Sequence, residues 1–407
     1  MRWSFGSNGY WSAAYARICV CNMLVFFAFQ MILPTLPVYV TDMGSDGSSA
    51  GLVVSVITLA AVLIRLGTGY ALDHWDRKHV VIFGSVAFLL ATVAYTISPM
   101  TGWMFLCSAV LGIGWGILTV SYATLVSDLI PAGRQGSGIG TFMLFAMVSM
   151  AIGPYAGGWV YGQFGAAALF GAAALIALLS LGLFWQGGRK QSHLHVSPVQ
   201  QTGRKPSWTA EILERSALLP AGLLLLYTFC YGGIISFAGL YGLELGVGNG
   251  GIFFLLSSVA SVLVRPIAGS LFDAKGHAAV VLPGIVLGIA SLFMLAAASG
   301  PALFLIAAAV YGLSFGAVQP YLLAWTVQRA KPERRGAANS TFLIGMDSGI
   351  TLGSALLGIW AAANGYAAMF RGAGVILILL LVLYGITLGS VRQSPVPDAS
   401  PEAEKPR

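Results

Sequence analysis

The chain has 407 residues, of which 57% are apolar and only 9% are charged. A soluble protein of this size would carry about 25% charged residues to wet its surface, so the composition excludes a soluble globular enzyme. Apolar runs of about 20 residues or more, each long enough to cross a bilayer core of roughly 30 Å, fill almost the whole chain. The sequence predicts an all-α membrane protein without a separate soluble domain.

The positive charge is concentrated in alternate loops. The formal net charge of +7 would by itself suit a nucleic acid or an anionic substrate. However, 18 of the 21 Lys and Arg residues fall at the termini or in every second loop. This is the distribution of the positive-inside rule, so we expect both termini and the basic loops to be cytoplasmic. The charge therefore reports topology, and we expect no nucleic-acid partner.

Twelve apolar runs form two groups of six on either side of a basic linker. We predict six-helix bundles at 1–187 and 217–390, a cytoplasmic linker at 188–216 and a disordered cytoplasmic tail at 391–407. Within the linker, residues 208–215 have the composition of a short interfacial helix. The predicted spans are, in chain order, 13–40, 50–72, 79–98, 102–129, 137–162, 166–186, 217–243, 250–272, 278–298, 301–328, 337–362 and 367–389.

Two stretches of similar sequence lie 200 residues apart. Residues 65–73 end span 2, and residues 265–273 end span 8. Parallel repeats with a substrate site between them near the bilayer midplane are a transporter architecture, so the sequence predicts a duplicated transporter. The pairs of residues that keep the offset include Arg65 and Arg265, Gly69 and Gly269, Asp73 and Asp273, Gly116 and Gly316, Gly153 and Gly353, and Gly158 and Gly358.

The end of span 2 combines small, acidic and basic residues. Gly69 lacks a side chain where the span can approach a neighbouring helix closely. Asp73, at the inner end, can face the N-terminus of another helix, where the dipole favours negative charge. Arg77 and Lys78 follow in the loop. The alternative interpretation is that Asp73 and Arg77 are solvated loop charges.

Span 5 carries a stripe of small residues. Ser149, Gly153 and Gly157 are spaced four residues apart and share one helix face, while Pro154 can bend the helix and Gly158 follows the stripe. Small residues let membrane helices approach closely. By itself, the stripe therefore predicts tight packing against another helix.

Both patterns resemble signatures of one transporter family. The pattern Gly69-x-x-x-Asp73-x-x-x-Arg77-Lys78 resembles the loop motif between spans 2 and 3 of the major facilitator superfamily. The pattern Ser149-x-x-x-Gly153-Pro154-x-x-Gly157-Gly158 resembles the span 5 signature of its drug:proton antiporter branch. Twelve spans and an internal duplication extend the resemblance over nearly the whole chain.

The resemblance carries several expectations. It implies a twelve-span fold with cytoplasmic termini, alternating access between two halves, export, and a proton gradient as the energy source without a cofactor. It also implies that Asp73 latches the inner gate by facing the start of span 11, near residues 336–340, while the outside is open. Gly269 and Asp273 form a weaker copy of this gating motif.

The sequence also departs from the family pattern. Asp76 replaces the usual Gly in the loop motif, which leaves the geometry of that turn open. Gln30 stands in span 1, where many multidrug antiporters carry an acid, and Ser108 stands where the antiporter Arg of span 4 would fall. The usual proton relay therefore lacks two members. Asp128 and Glu244 lie nearer the membrane edges than a coupling residue should.

The best remaining carboxylate is Asp347, inside span 11. Its counterpart in the first half is Met147. A carboxylate at a helix centre costs about 2.5–3.5 kcal/mol on insertion scales, so it needs a partner, water or a proton. Gly345 and Gly349 lie on the opposite helix face, which turns Asp347 towards a cavity if the glycines pack on a helix. We predict proton or substrate binding, with a structural hydrogen bond or ion pair as the alternative.

Two arginines and two glutamines complete the candidate site. Arg65 and Arg265 lie inside the inner halves of spans 2 and 8. They are either snorkelling or structurally paired side chains, or contacts for an anionic substrate, or, for one of them, a counter-ion of Asp347. Two cations and one acid suit a cargo with carboxylate groups better than a purely cationic drug. Gln30 and Gln319 are predicted hydrogen-bonding groups of the cavity.

The leading hypothesis is a proton-coupled efflux transporter of the cell membrane that exports a small organic molecule. We expect the transporter to be monomeric. The alternative is an importer, symporter or facilitator of a small nutrient or metabolite on the same fold. A membrane-embedded enzyme is disfavoured because the sequence lacks a paired His/carboxylate helix motif, a phosphate-binding glycine loop and a nucleophile elbow. The four cysteines lie in apolar runs without metal-like spacing, so we expect buried thiols and no metal.

Overall fold

The computed structural model describes residues 12–45, 47–97, 100–130, 135–188, 214–330 and 335–392. Within these ranges the regular secondary structure is entirely helical, and eleven helical stretches are long and apolar enough to cross a membrane. Most of the predicted linker, including residues 208–213 of the interfacial helix, and the tail beyond residue 392 lie outside the described residues. The helices are α1 Ala13–Ile32, α2 Leu36–Asp42, α3 Gly47–His74, α4 Arg77–Ala94, α5 Thr101–Leu129, α6 Gln135–Gly188, α7 Leu218–Glu244, α8 Ile252–Lys275, α9 His277–Ala297, α10 Pro301–Arg329, α11 Arg335–Asn364 and α12 Tyr366–Arg392.

Helix α6 is broken at Gly165. There φ is 78° and the backbone leaves the helical path, a conformation that glycine adopts readily because it has no Cβ. The break lies between the predicted spans 5 and 6. Gly365, 200 residues later, has φ 80° and separates α11 from α12. The two positions therefore end a helix in the same way.

The small-residue stripe of α6 packs directly on α1. A Cβ added at Gly157 would lie 2.2 Å from the Met31 carbonyl oxygen, far closer than van der Waals contact. Ser149 donates a hydrogen bond from Oγ to the Met23 carbonyl oxygen at 2.7 Å. The predicted tight packing of the span 5 stripe is confirmed, and its partner is α1.

The corresponding stripe of α11 packs on α7. A Cβ added at Gly353 would lie 1.9 Å from the Phe229 carbonyl oxygen, and one at Gly345 would lie 2.7 Å from that of Ala221. Ser354 donates to the Gly232 carbonyl oxygen at 3.0 Å. The glycine face of α11 is thus occupied by α7, and the opposite face is left for other contacts.

The helix connections define two ends of the bundle. Connections 130–134 and 330–334 contain Lys or Arg, connections 75–76 and 276 are directly flanked by Arg77, Lys78 and Lys275, and we call the side of these four connections the basic end. Connections 43–46, 95–100, 245–251 and 298–300 contain no Lys or Arg, and we call their side the distal end. The four cysteines, all described, are free and buried, as predicted.

Candidate functional site

Arg65 and Asp347 form an ion pair between α3 and α11. Nη1 of Arg65 contacts Oδ2 of Asp347, and the side chains are only 20% and 11% exposed. Nη2 of Arg65 also lies 3.4 Å from Oγ1 of Thr119 on α5. Because a carboxylate in a membrane helix needs a compensating charge, the pair explains how Asp347 is accommodated. Of the alternatives for Arg65, the structure contains the counter-ion arrangement.

The pair ends a zone of close contact that extends towards the distal end. A Cβ added at Gly51 would lie 2.2 Å from the Ser354 carbonyl oxygen. Ser55 donates to the Thr351 carbonyl oxygen at 2.8 Å, and the hydroxyls of Thr351 and Thr58 are 2.8 Å apart. Small and hydroxyl-bearing residues therefore hold the distal halves of α3 and α11 together.

Arg265 occupies the equivalent place in the second half but meets a different partner. Its Nη1 lies 2.7 Å from Sδ of Met147 on α6. Its Nε is buried and has no hydrogen-bond partner among the described residues. The Tyr321 hydroxyl donates a hydrogen bond to the backbone carbonyl oxygen of Arg265 at 3.0 Å, so this hydrogen bond does not involve the guanidinium group. A methionine thus stands where the other site has a carboxylate.

The exporter-like motif of α6 contacts the connection before α8. A Cβ added at Gly158 would lie 2.4 Å from Oδ1 of Asn249, and one at Gly251 would lie 2.2 Å from the Pro154 carbonyl oxygen. Nδ2 of Asn249 donates to the Tyr155 carbonyl oxygen at 3.0 Å. The sequence analysis missed Asn249 because it lies in a loop, although its position beside Gly248 and Gly250 marks a close backbone approach.

The helices are less closely packed towards the basic end. A Cβ added at Gly69, one turn beyond Arg65, would meet no described atom within 4 Å. The close approach predicted at Gly69 is therefore wrong for this conformation. A Cβ at Gly269 would contact only the Tyr321 hydroxyl, at 3.4 Å. The Asp73 side chain lies outside the described residues, so its latch remains a prediction, while Asp273 is exposed.

Arg77 is anchored rather than freely solvated. Its Nη1 pairs with Oδ2 of Asp128 at the end of α5, so the solvated alternative is wrong for this residue. Lys78 places Nζ 4.9 Å from the ring centre of Trp185. Asp76, the departure from the family pattern, caps α4 by accepting a hydrogen bond from the Lys78 amide at 2.9 Å. An Asp at this position is a favourable N-cap and fixes the turn.

The two glutamines do not join the ion pairs. Gln30 is 7% exposed, and its Cβ lies beside Gly153 at the contact of α1 with α6. Gln319 is half-buried on α10. Their role in a cavity remains a prediction.

Two aromatic clusters were missed by the sequence analysis. Phe29 stacks on Trp115 with ring centres 3.8 Å apart and planes at 4°. In the second half, Tyr231 lies 6.2 Å from Tyr311 and 5.1 Å from Phe315. Trp115 and Phe315 are 200 residues apart inside glycine-rich segments, which is a signal that could have found them. Without that signal, aromatic residues in apolar spans are interpreted as ordinary core residues.

Comparison with known proteins identifies the family. The model of the Major Facilitator Superfamily matches residues 18–330 and 244–407. The chain belongs to this superfamily. Superfamily membership and the apolar helices make it a multi-pass transporter of the cell membrane, not an enzyme.

Two curated relatives of the superfamily match over most of the chain. "Multidrug resistance protein MdtG" of Citrobacter koseri is 25% identical over 373 residues, which cover 86% of this chain and 89% of the relative. "Staphylopine export protein" of Staphylococcus aureus is 21% identical over 384 residues, which cover 91% of this chain and 94% of the relative.

Solved structures support the fold. A crystal structure of a peptide transporter POT in complex with sulfate has a TM-score of 0.79 at 15% identity, and the match covers 95% of this chain and 96% of that one. The nucleoside transporter NupG has a TM-score of 0.74 at 16% identity, and the match covers 93% and 99%. At these identities the likeness concerns the fold alone.

Proposed function

We propose that the protein is a proton-coupled exporter of a small organic molecule. Its fold would comprise twelve membrane crossings in two six-helix halves, with both termini in the cytoplasm. The matching breaks at Gly165 and Gly365 support twelve crossings, because the same glycine that joins two segments of α6 separates α11 from α12. The basic residues at one end of the bundle support a cytoplasmic basic end.

With this orientation, the conformation faces the cytoplasm. The close contacts between α3 and α11 and between α6 and α8 extend from the distal end to Arg65 and Arg265. Beyond that depth Gly69 meets open space. A rocking motion of the two halves about this depth would open the distal end and close the basic end, which is alternating access. The present state would be the one that loads cargo for export.

The observation that carries the proposal is the ion pair of Arg65 with Asp347. The pair joins helices from different halves at the depth where their contact ends. As the counter-ion of Asp347 in the present state, Arg65 would favour the deprotonated carboxylate, and a proton bound there would be released to the cytoplasm. Separation of α3 from α11 would move Arg65 away from Asp347. The Asp347 carboxylate would then need a proton or water in its place. In each transport cycle, one proton would then bind while the distal end is open and would be released into the cell.

The direction of transport is supported by the relatives and by the span 5 motif. The two curated relatives are named for multidrug resistance and for export, and the motif of Ser149, Gly153 and Gly157 resembles that of antiporters. One charge crossing the membrane supplies about 2.3 kcal/mol per 100 mV. A single proton can therefore sustain a substantial outward gradient of cargo.

The test is proton flux in everted membrane vesicles under an imposed proton gradient. We expect members of a panel of cationic, zwitterionic and carboxylate-bearing compounds to release protons from wild-type vesicles and not from Asp347→Asn vesicles. Asp128→Asn, which changes a carboxylate at the end of α5, is the matched control and should retain the response. Cargo movement without a proton signal, unchanged in Asp347→Asn, would contradict the proposal and favour a facilitator or an importer.

A further inference from the structure

Arg265 is a cation in the middle of the fold, and no carboxylate in the described part of the chain pairs with it. Among the described residues the salt bridges join Arg65 to Asp347, Arg77 to Asp128 and His79 to Asp76, and Arg265 is in none of them. A guanidinium does not deprotonate in proteins, so Arg265 cannot escape its environment by becoming neutral.

The side chain points into the protein rather than into lipid. On α8 the most exposed residues of its middle are Leu263 and Ile267, at 67% and 69%. At 100° per residue, Arg265 lies about 160–200° from both of them. It therefore faces α6, where it meets Met147, and its side chain is only half-buried.

Met147 is a poor partner for this charge. A thioether sulfur is a weak acceptor, and Nε of Arg265 has no acceptor among the described residues. The corresponding position of the second half holds Asp347, which neutralises Arg65. The first half therefore lacks the carboxylate that the internal symmetry would place beside Arg265. Methionine is also flexible enough to move aside.

We infer that Arg265 binds a carboxylate group of the transported molecule, which takes the place that Asp347 fills against Arg65. The inference rests on the proposed transport of a small organic molecule and specifies its chemical class. A carboxylate suits the site because the planar guanidinium fork binds two oxygens at once. Cargo that carries only positive charge would be repelled here.

The test is ligand-induced stabilisation of the purified full-length protein in detergent. The probes are glutarate, citrate, N-acetylglutamate and rhodamine B, each compared with its ester. We expect at least one carboxylate to raise the thermal midpoint of the wild type, its ester to have no effect, and Arg265→Gln to weaken binding about tenfold or more. Arg265→Lys should retain part of the affinity. If no probe stabilises the wild type, or if esters act as well as acids, the inference is overturned.

A second variant tests the site without removing Arg265. Met147→Asp should create the ion pair that the first half lacks and should compete with cargo, so that carboxylate binding weakens about tenfold or more. Met147→Asn, of the same size without the charge, is the matched control and should bind nearly as the wild type does. Equal binding by both variants would overturn the inference.

These outcomes are separable from those of the proposed proton coupling. Carboxylate binding is measured without a proton gradient, and Asp347→Asn leaves Arg265 and Met147 in place. Binding that is weakened in Arg265→Gln and Met147→Asp but kept in Met147→Asn and Asp347→Asn supports the inference even if no proton flux is found. Proton flux that depends on Asp347 with cargo lacking a carboxylate would support the transport proposal and contradict the inference.

Discussion

The two halves of the protein place the same arginine at the same depth, yet give it different partners. Arg65 is neutralised by Asp347, whereas Arg265 faces Met147. The glycine stripes beside them, which pack α6 on α1 and α11 on α7, are otherwise alike. Packing has therefore been kept in both halves while the charge has been changed in one. The difference is the basis for proposing a proton site at Asp347 and an anion site at Arg265.

The largest expected difference between the two halves is the change in stability when each arginine is replaced. Arg65→Gln leaves Asp347 without its counter-ion, and breaking a buried pair costs about 3–5 kcal/mol. Arg265→Gln removes a charge that no carboxylate among the described residues neutralises, so it should leave the fold at least as stable. The thermal midpoint of the purified protein measures both.

A double variant provides the control for this prediction. Arg65→Gln combined with Asp347→Asn removes both charges and should recover most of the lost stability, since no unpaired charge remains. Equal destabilisation by Arg65→Gln and Arg265→Gln would show that the two arginines are equivalent and would contradict the comparison.

The second prediction compares glycines between the halves with glycines within one half. Gly353→Ala pushes a methyl group into the Phe229 carbonyl inside the second half, and Gly51→Ala pushes one into the Ser354 carbonyl between the halves. Overpacking typically costs about 1–3 kcal/mol. We expect Gly353→Ala to lower the thermal midpoint, and Gly51→Ala to shift the protein towards the state with an open distal end.

The shift can be measured by labelling a cysteine introduced at Ser55 with a membrane-impermeant maleimide, in a background without the native cysteines. Gly171→Ala is the matched control, because a Cβ there would meet no described atom within 4 Å. A loss of folded protein in Gly51→Ala, without increased labelling, would count against a contact that opens during transport.

Much of this architecture was predictable from the sequence. Hydropathy located the membrane helices, and the four-residue spacing of small side chains predicted the packing of α6. The energetic cost of a carboxylate in a span predicted that Asp347 needs a partner. These features depend on local composition and on the helical period, which one segment carries by itself.

The sequence did not assign the partners. Which residue of α3 faces Asp347 depends on the rotation and the relative height of two helices that are distant in the chain. For the same reason the contact of Gly158 with Asn249, and that of Arg265 with Met147, could not be derived from spacing. Gly69 was misjudged because a small residue permits close approach but does not enforce it.

The third prediction concerns the distal contact between α6 and the loop before α8. Asn249→Ala removes the hydrogen bond to the Tyr155 carbonyl oxygen. A neutral hydrogen bond contributes about 1 kcal/mol, so the distal end should open about fivefold more often. Maleimide labelling of a cysteine introduced at Ser258 measures the opening, and Asn364→Ala, whose side chain bonds within its own helix end, is the control. Unchanged labelling would mean that Asn249 does not hold the distal end closed.

The smallest effect is expected at the basic end, where the halves differ again. Arg77 pairs with Asp128, whose side chain is 39% exposed, and exposed pairs contribute about 0–1 kcal/mol. His277, 200 residues later, instead lies 2.6 Å from the Tyr384 hydroxyl and stacks on Trp325 with ring centres 4.2 Å apart. Salt screens the first contact and not the second. The loss of thermal stability in Arg77→Gln should therefore fade in high salt, whereas the loss in His277→Ala should persist. If both losses fade together, the basic ends of the two halves are held by the same force, and the asymmetry is confined to Arg65 and Arg265.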